Sequence, residues 1–115
     1  MAMNIYDKIN DLADSLKKCD ELQEYLKVKE EVYKNPEIKE KVEDFRKKQI
    51  EVQKMAVDGN EEEAKAKYEI LQQLYTILQQ NPDVKRLFDS EVKFDMIVGD
   101  MYRILGEAVK GALED

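Results

Sequence analysis

The 115-residue chain has no histidine, no tryptophan, one cysteine, two prolines and four glycines. Each shortage excludes something. Without histidine, the commonest general acid–base and the commonest metal-binding side chain are missing. Neither a Ser-His-Asp nor a Cys-His nucleophile can be assembled. Cys19 has no second thiol for an internal disulfide, and Met1-Ala2-Met3-Asn4 lacks the basic-then-apolar pattern of a secretory leader, so a reducing cytoplasm is the expected setting. Gly59, Gly99, Gly106 and Gly111 stand too far apart to form a phosphate-cradling loop. No apolar run approaches the roughly 20 residues of a membrane-spanning helix.

What is present is charge and helical periodicity. Charged residues make up 39% of the chain and hydrophobic residues 43%. With so little glycine and proline, that balance predicts solvated helices rather than disorder, because the apolar residues are neither sparse nor aperiodic. The net charge of −7 argues against direct contact with nucleic acid or an anionic membrane, both of which require a positive footprint. The length fits a single domain spanning residues 1–115.

Local signals divide the chain into about five helices. Asn4 is placed to cap a first helix, whose Ile5, Ile9, Leu12, Leu16 and Cys19 recur at alternating steps of four and three. Asp20 with Gln23 reads as a capping box, so the chain either breaks at Cys19-Asp20 or runs on as one helix. Asn35-Pro36 and Asn81-Pro82 each combine an N-cap residue with a proline suited to the first helical position. Between them, Asp58-Gly59-Asn60 ends one helix and offers Asn60 as the cap of the next. Helix three carries Ile38, Val42, Phe45, Gln49, Val52 and Ala56 on one stripe; helix four carries Ala64, Tyr68, Leu71, Tyr75 and Leu78. The last helix runs from Pro82 to about Ala112, on the order of 45 Å. That exceeds the diameter of a compact globule of this size, roughly 35 Å. Either the protein is elongated or a second chain covers the excess.

On the last helix, Glu91 and Asp95 interrupt a seam that otherwise holds Val84, Phe88, Val98, Tyr102, Leu105 and Val109. Two carboxylates one turn apart would suit acid–base work or cation binding. The preferred reading is structural: one or both pair with a Lys or Arg of a facing helix and set register. Arg46 and Gln49 on helix three are the candidate partners of Glu91. Gly99 and Gly106, seven residues apart, share a helical face that either admits another backbone closely or tolerates a bend. Cys19 on an apolar stripe reads as a small hydrophobe, and the six tyrosines as core or interface. Arg46-Lys47-Lys48 is the one short basic run. Flanked by Glu43, Asp44 and Glu51, it reads as a solvated face with i,i+4 ion pairs.

The segment MNIYDKINDLADSLKKCDELQEYLKVKEEVYKNPEIKEKVEDFRKKQIEVQ resembles the YheA/YlbF/YmcA family of small bacterial helical proteins, and LQQLYTILQQNPDVKRLFDSE and MIVGDMYRIL continue the resemblance in the same order. Its motifs are the Asp-Glu-x-x-Glu-Tyr entry to the second segment, Phe45-Arg46-x-x-Gln49, Asn81-Pro82 and Ser90-Glu91. The resemblance implies an all-α bundle of about five helices that tends to self-associate. It also implies a role as a regulatory subunit touching competence, biofilm formation, sporulation and the control of an RNA-degrading endonuclease. Relatives in that complex bind iron–sulfur clusters through cysteines of a C-terminal extension. This sequence ends at Asp115 with only Cys19, so the cluster does not carry over and no cofactor is expected. The resemblance is nearest to the short YheA-like branch.

The sequence thus predicts an all-α, non-enzymatic interaction protein that binds copies of itself and other proteins. Phe45, Arg46, Gln49, Glu91, Asp95, Gly99 and Gly106 are its candidate structural or partner contacts. Two other classes stand beside it: a carboxylate metal site or enzyme built on Glu91 and Asp95, and an RNA-binding protein.

Overall fold

A computed structural model describes residues 4–114. They form five helices and, among the described residues, no strand: α1 (Ile5–Lys18), α2 (Asp20–Val32), α3 (Pro36–Val57), α4 (Glu61–Leu78) and α5 (Pro82–Leu113). The expected all-α fold with a long C-terminal helix is what forms.

The boundaries follow from local chemistry. The Asn4 side chain accepts a hydrogen bond from the Tyr6 N–H at 3.0 Å and starts α1. Cys19 then adopts an extended backbone, φ −65° and ψ 148°, which separates α1 from α2. The break is held by Gln23, though not as a capping box. Its side-chain amide donates to the Lys17 carbonyl at 2.7 Å, so Gln23 satisfies a group at the end of α1 rather than one at the start of α2. Asn35 accepts from the N–H groups of Glu37 and Ile38, and Asn81 accepts from Asp83. Both Asn-Pro pairs therefore work as the sequence predicts.

The turn between α3 and α4 departs from expectation in one detail. Gly59 takes φ +88°, the left-handed conformation that side-chain-bearing residues rarely adopt. The Asn60 N–H reaches back to the Met55 carbonyl at 3.0 Å and the Gly59 N–H to that of Ala56 at 3.4 Å, the 6→1 and 5→2 pattern of a Schellman ending. Asn60 does occupy the cap position of α4, but its side chain makes no capping hydrogen bond. Its backbone has been recruited to close α3, at φ −85° and ψ 61°. A paired prediction follows. Asn35→Ala lowers stability by about 1 kcal/mol, whereas Asn60→Ala changes it by only a few tenths. Urea denaturation of the two variants checks this, and equal losses would contradict it.

The helices group into two compact units. In the unit Lys29–Phe88, α3 and α4 pack as an antiparallel hairpin, with Ile38 and Phe45 near the start of α3 facing Leu74 and Leu78 near the end of α4. Its core consists of Val32, Val42, Phe45, Val52, Ala64, Leu71, Val84, Leu87 and Phe88. Three rings interlock at its centre. Phe45 lies 5.9 Å from Tyr75 and 5.7 Å from Phe88, and Tyr75 stacks on Phe88 at 5.0 Å. Arg86 pairs with Glu31 at 3.0 Å on the surface of this unit.

The other unit, Met1–Val28 with Asp89–Asp115, is built differently. Only Val28 and Ser90 among its described residues are buried. Helix α1 buries none of its residues, although its apolar stripe is the most regular in the chain.

Candidate functional site

In the Met1–Val28 and Asp89–Asp115 unit, apolar surface is left uncovered in rows along two helices. On α1, Ile5 is 65% exposed, Ile9 52% and Leu12 40%, all on the stripe that the four–three spacing defines. On α5, Tyr102, Leu105, Val109 and Leu113 are between 50% and 80% exposed and line one continuous shallow depression with Gly106. Exposed apolar side chains are ordinary one at a time. Contiguous rows of them along two helices are the feature that asks for an explanation.

The two faces of the α5 tail are chemically segregated. Val98, Tyr102, Leu105, Val109 and Ala112 form the seam at steps of four and three. The positions flanking it are Gly99, Gly106 and Leu113 on one side and Met101 and Ala108 on the other, none of them charged. The charges lie on the opposite side and pair with one another. Arg103 reaches Asp100 at 3.8 Å and Glu107 at 3.4 Å, and Lys110 reaches Glu114 at 3.7 Å. These exposed pairs contribute little to stability. Their placement leaves the seam without ionic character.

The residues singled out in the sequence fall into two groups. Phe45, Arg46 and Gln49 belong to the Lys29–Phe88 unit; Glu91, Asp95, Gly99 and Gly106 belong to the other. Phe45 is a buried core ring, in contact with Tyr75 and Phe88, and Gln49 is exposed despite its place on the α3 stripe. Arg46 and Glu91 are half-buried, Asp95 is exposed, and none of these three is without a partner. A methyl group added at Gly99 or at Gly106 would meet nothing within 4 Å. None of the described residues therefore packs against the space that the missing side chain leaves. Cys19 is half-buried, and none of the six tyrosines is fully buried.

Among the described residues, no three Asp, Glu or Cys side chains cluster closely enough to hold a metal ion. The three consecutive acids Glu61, Glu62 and Glu63 fan around the first turn of α4, all exposed. Within the Arg46-Lys47-Lys48 run, Lys48 pairs with Asp44 at 3.0 Å, one helical turn away, as the sequence predicts. A cleft of about 470 Å³ lies in the Lys29–Phe88 unit, walled by Ile38, Phe45, Leu74, Ile77, Leu78 and Val84. Its polar rim includes Glu37 and Lys41, which pair with each other at 3.3 Å. No helix among the described residues is long and apolar enough to cross a membrane.

Two residues of consequence were not singled out as contacts by the sequence reading. Leu87, with no exposed surface, lies one position from the predicted stripe residue Phe88. Ser90 is the one buried polar side chain among the described residues, and it has a partner. A single residue per turn describes a seam, whereas a core-facing helix buries a stripe at least 100° wide. Widening the stripe on one side would have found Leu87; Ser90 lies farther round the helix, outside any stripe of that width.

Comparison with known proteins places these features in a family. A family model described as "Control of competence regulator ComK, YlbF/YmcA" matches residues 5–110. A UPF0342 protein of Caldicellulosiruptor saccharolyticus is 37% identical over 106 residues, covering 92% of this chain and 88% of the relative. A UPF0342 protein of Clostridium novyi is also 37% identical, over 110 residues and 93% of each chain. One of Lysinibacillus sphaericus is 30% identical over 113 residues, covering 98% of this chain and 97% of the relative. No solved structure matches the chain.

Proposed function

The chain belongs to the YlbF/YmcA family, and on that premise we propose that it is a non-enzymatic regulatory protein that acts by binding other proteins through exposed helix faces. The observation that carries this reading is the uncovered apolar surface of α1 and of the α5 tail. A helix that buries none of its residues yet keeps a regular apolar stripe is built for a partner. The family description names control of a competence regulator. We extend that here as the class of process: the protein is an adaptor or regulatory subunit in a bacterial control circuit, working in the cytoplasm.

The arrangement of charge supports protein over nucleic acid as the partner. The net charge is −7, and the basic run on α3 has Lys48 engaged with Asp44. Glu91 and Asp95 supply two carboxylates to a helix face, and among the described residues no third Asp, Glu or Cys gathers with them. That favours a structural role for the pair over metal chemistry.

The test is recovery of the tagged full-length protein from the source cell's extract, with and without nuclease treatment, read by mass spectrometry. The reading expects specific proteins that survive nuclease and that are lost when Leu105 and Val109 are both changed to Glu. Loss of every partner on nuclease treatment would replace it with an RNA-binding function. Recovery of the protein alone would overturn the adaptor role.

A further inference from the structure

We propose that the cleft between the start of α3, the end of α4 and the start of α5 binds a small uncharged molecule with an apolar body and one hydrogen-bond acceptor, of the class of a medium-chain ketone, ester or alcohol. The cleft lies wholly within the Lys29–Phe88 unit and shares no residue with the exposed faces of α1 and the α5 tail. The proposal therefore stands apart from the adaptor reading.

The cleft forms because two helix starts meet one helix end. Helices α3 and α4 run antiparallel, so Asn35, the cap of α3, stands beside the last turn of α4, and Asn81 begins α5 directly after that turn. The walls are graded in depth. Val84 and Phe45 are 2% and 6% exposed and form the floor; Ile38, Leu74 and Leu78 are half-buried; Ile77 is 60% exposed at the lip. That gradient makes a concave site rather than a flat patch. Its volume of about 470 Å³ falls in the range of small-molecule sites. At about 30 Å³ for each water-sized group, it holds on the order of 15 non-hydrogen atoms.

Charge at the rim selects the class of ligand. Lys41 pairs with Glu37 at 3.3 Å and Asp44 with Lys48 at 3.0 Å, each along α3. Every charge on the rim is thus matched by a neighbour one turn away. A cation would have to displace a lysine from its carboxylate. An anion would meet Glu37 and Asp44, within a protein of net charge −7. Helix starts ordinarily attract anions; here Glu37 and Asp83 in the first turns offset that field. Neutral donors remain. The Asn35 side chain accepts from the N–H groups of Glu37 and Ile38, and that of Asn81 from the N–H of Asp83, all through the amide oxygen. Capping uses the oxygens and leaves each amide nitrogen to donate. Two such donors beside one apolar cleft match an oxygen acceptor on an otherwise apolar molecule.

The extent of the cleft argues against a partner helix as its occupant. Beyond Leu74, which walls both spaces, the gap between α3 and α4 narrows to a notch of about 150 Å³ lined in part by Lys48, Glu51 and Lys67. A helix laid along the hairpin would have to bridge Leu74 and press on those three charged side chains. A small molecule held on the Asn35 and Asn81 side of Leu74 meets none of them.

The test is a proton–nitrogen and methyl NMR titration of the full chain with methyl heptyl ketone, set against nonanoate and nonylamine, which have the same number of carbons. The ketone should shift the side-chain amides of Asn35 and Asn81 and the methyls of Ile38, Leu74, Ile77 and Leu78, with a submillimolar Kd. Each ion should bind about tenfold more weakly. Ile77→Glu puts a carboxylate on the exposed lip, where folding tolerates it, and should weaken ketone binding about tenfold. Asn35→Asp combined with Asn81→Asp keeps both caps and removes both donors; it should weaken ketone binding by about fivefold to tenfold, with helicity by circular dichroism retained. Ile70→Glu, in the notch beyond Leu74, is the control and should leave the Kd unchanged. Absence of shifts in the unaltered chain at millimolar ketone overturns the proposal. So does an ion that binds as tightly as the ketone, a set of shifts centred on Leu105 and Val109 instead, or a loss for Ile70→Glu equal to that for Ile77→Glu.

Discussion

Truncating Phe45 to alanine lowers the melting temperature by about 10–25 °C. Phe45 is 6% exposed and touches two other rings, Tyr75 at 5.9 Å and Phe88 at 5.7 Å, with interplanar angles of 34° and 40°. Those are tilted pairs within the favourable range of centroid distances. Removing the ring forfeits its burial and leaves a cavity between α3, α4 and the first turns of α5, since the stacked Tyr75 and Phe88 remain anchored to their own helices. The cost of such a truncation is about 3–5 kcal/mol. At about 3–6 °C per kcal/mol for a chain of this length, the shift follows. Because the total stability of a small domain is only about 5–15 kcal/mol, a measurable unfolded fraction at growth temperature is also expected. Thermal unfolding followed at 222 nm checks it, and a shift of under about 4 °C would show that the rings are not the keystone of this unit. Phe45→Leu, which keeps most of the apolar volume, should recover more than half of the loss.

The sequence discloses helices more fully than it discloses what those helices touch. Helix starts are chemical: an Asn side chain accepting N–H groups at 35 and 81, with Pro behind it, is legible because capping acts over two or three residues. The break at Cys19 was visible only as one of two options, because Gln23 serves the helix before the break through a bond six residues back in the chain. Asn60 shows the limit of the local rule. It had the right type for a cap, but the Schellman ending of α3 claimed its backbone. The site was legible in a weaker sense. The stripes on α1 and α5 were correct as periodicities, but spacing is the same whether a stripe faces a core or faces water. Val84 and Tyr102 occupy the same α5 stripe, one 2% and the other 67% exposed. Only the packing separates them. Of the two roles open to Phe45, structural contact or partner contact, its burial matches the first.

That separation leads to the second large effect. Leu87→Ala costs about 2–5 kcal/mol, because Leu87 has no exposed surface and is among the largest fully buried side chains of the protein. Leu105→Ala removes the same atoms from the same helix, yet Leu105 is 50% exposed. In a single chain its loss stays within about 0.5 kcal/mol, since leucine and alanine differ little in helix propensity and no cavity forms. Urea denaturation at high dilution, where chains are separate, should therefore move the midpoint far to lower urea for Leu87→Ala and hardly at all for Leu105→Ala, with the slope unchanged in both. A large loss for Leu105→Ala at high dilution would mean that the α5 tail is packed against its own chain, and would return the exposed seam to the core. The opposite pattern fixes the division of labour along one continuous helix. Its first turns, around Val84, Leu87 and Phe88, hold the Lys29–Phe88 unit together. Its last turns, from Val98 onward, leave Tyr102, Leu105 and Val109 open to water.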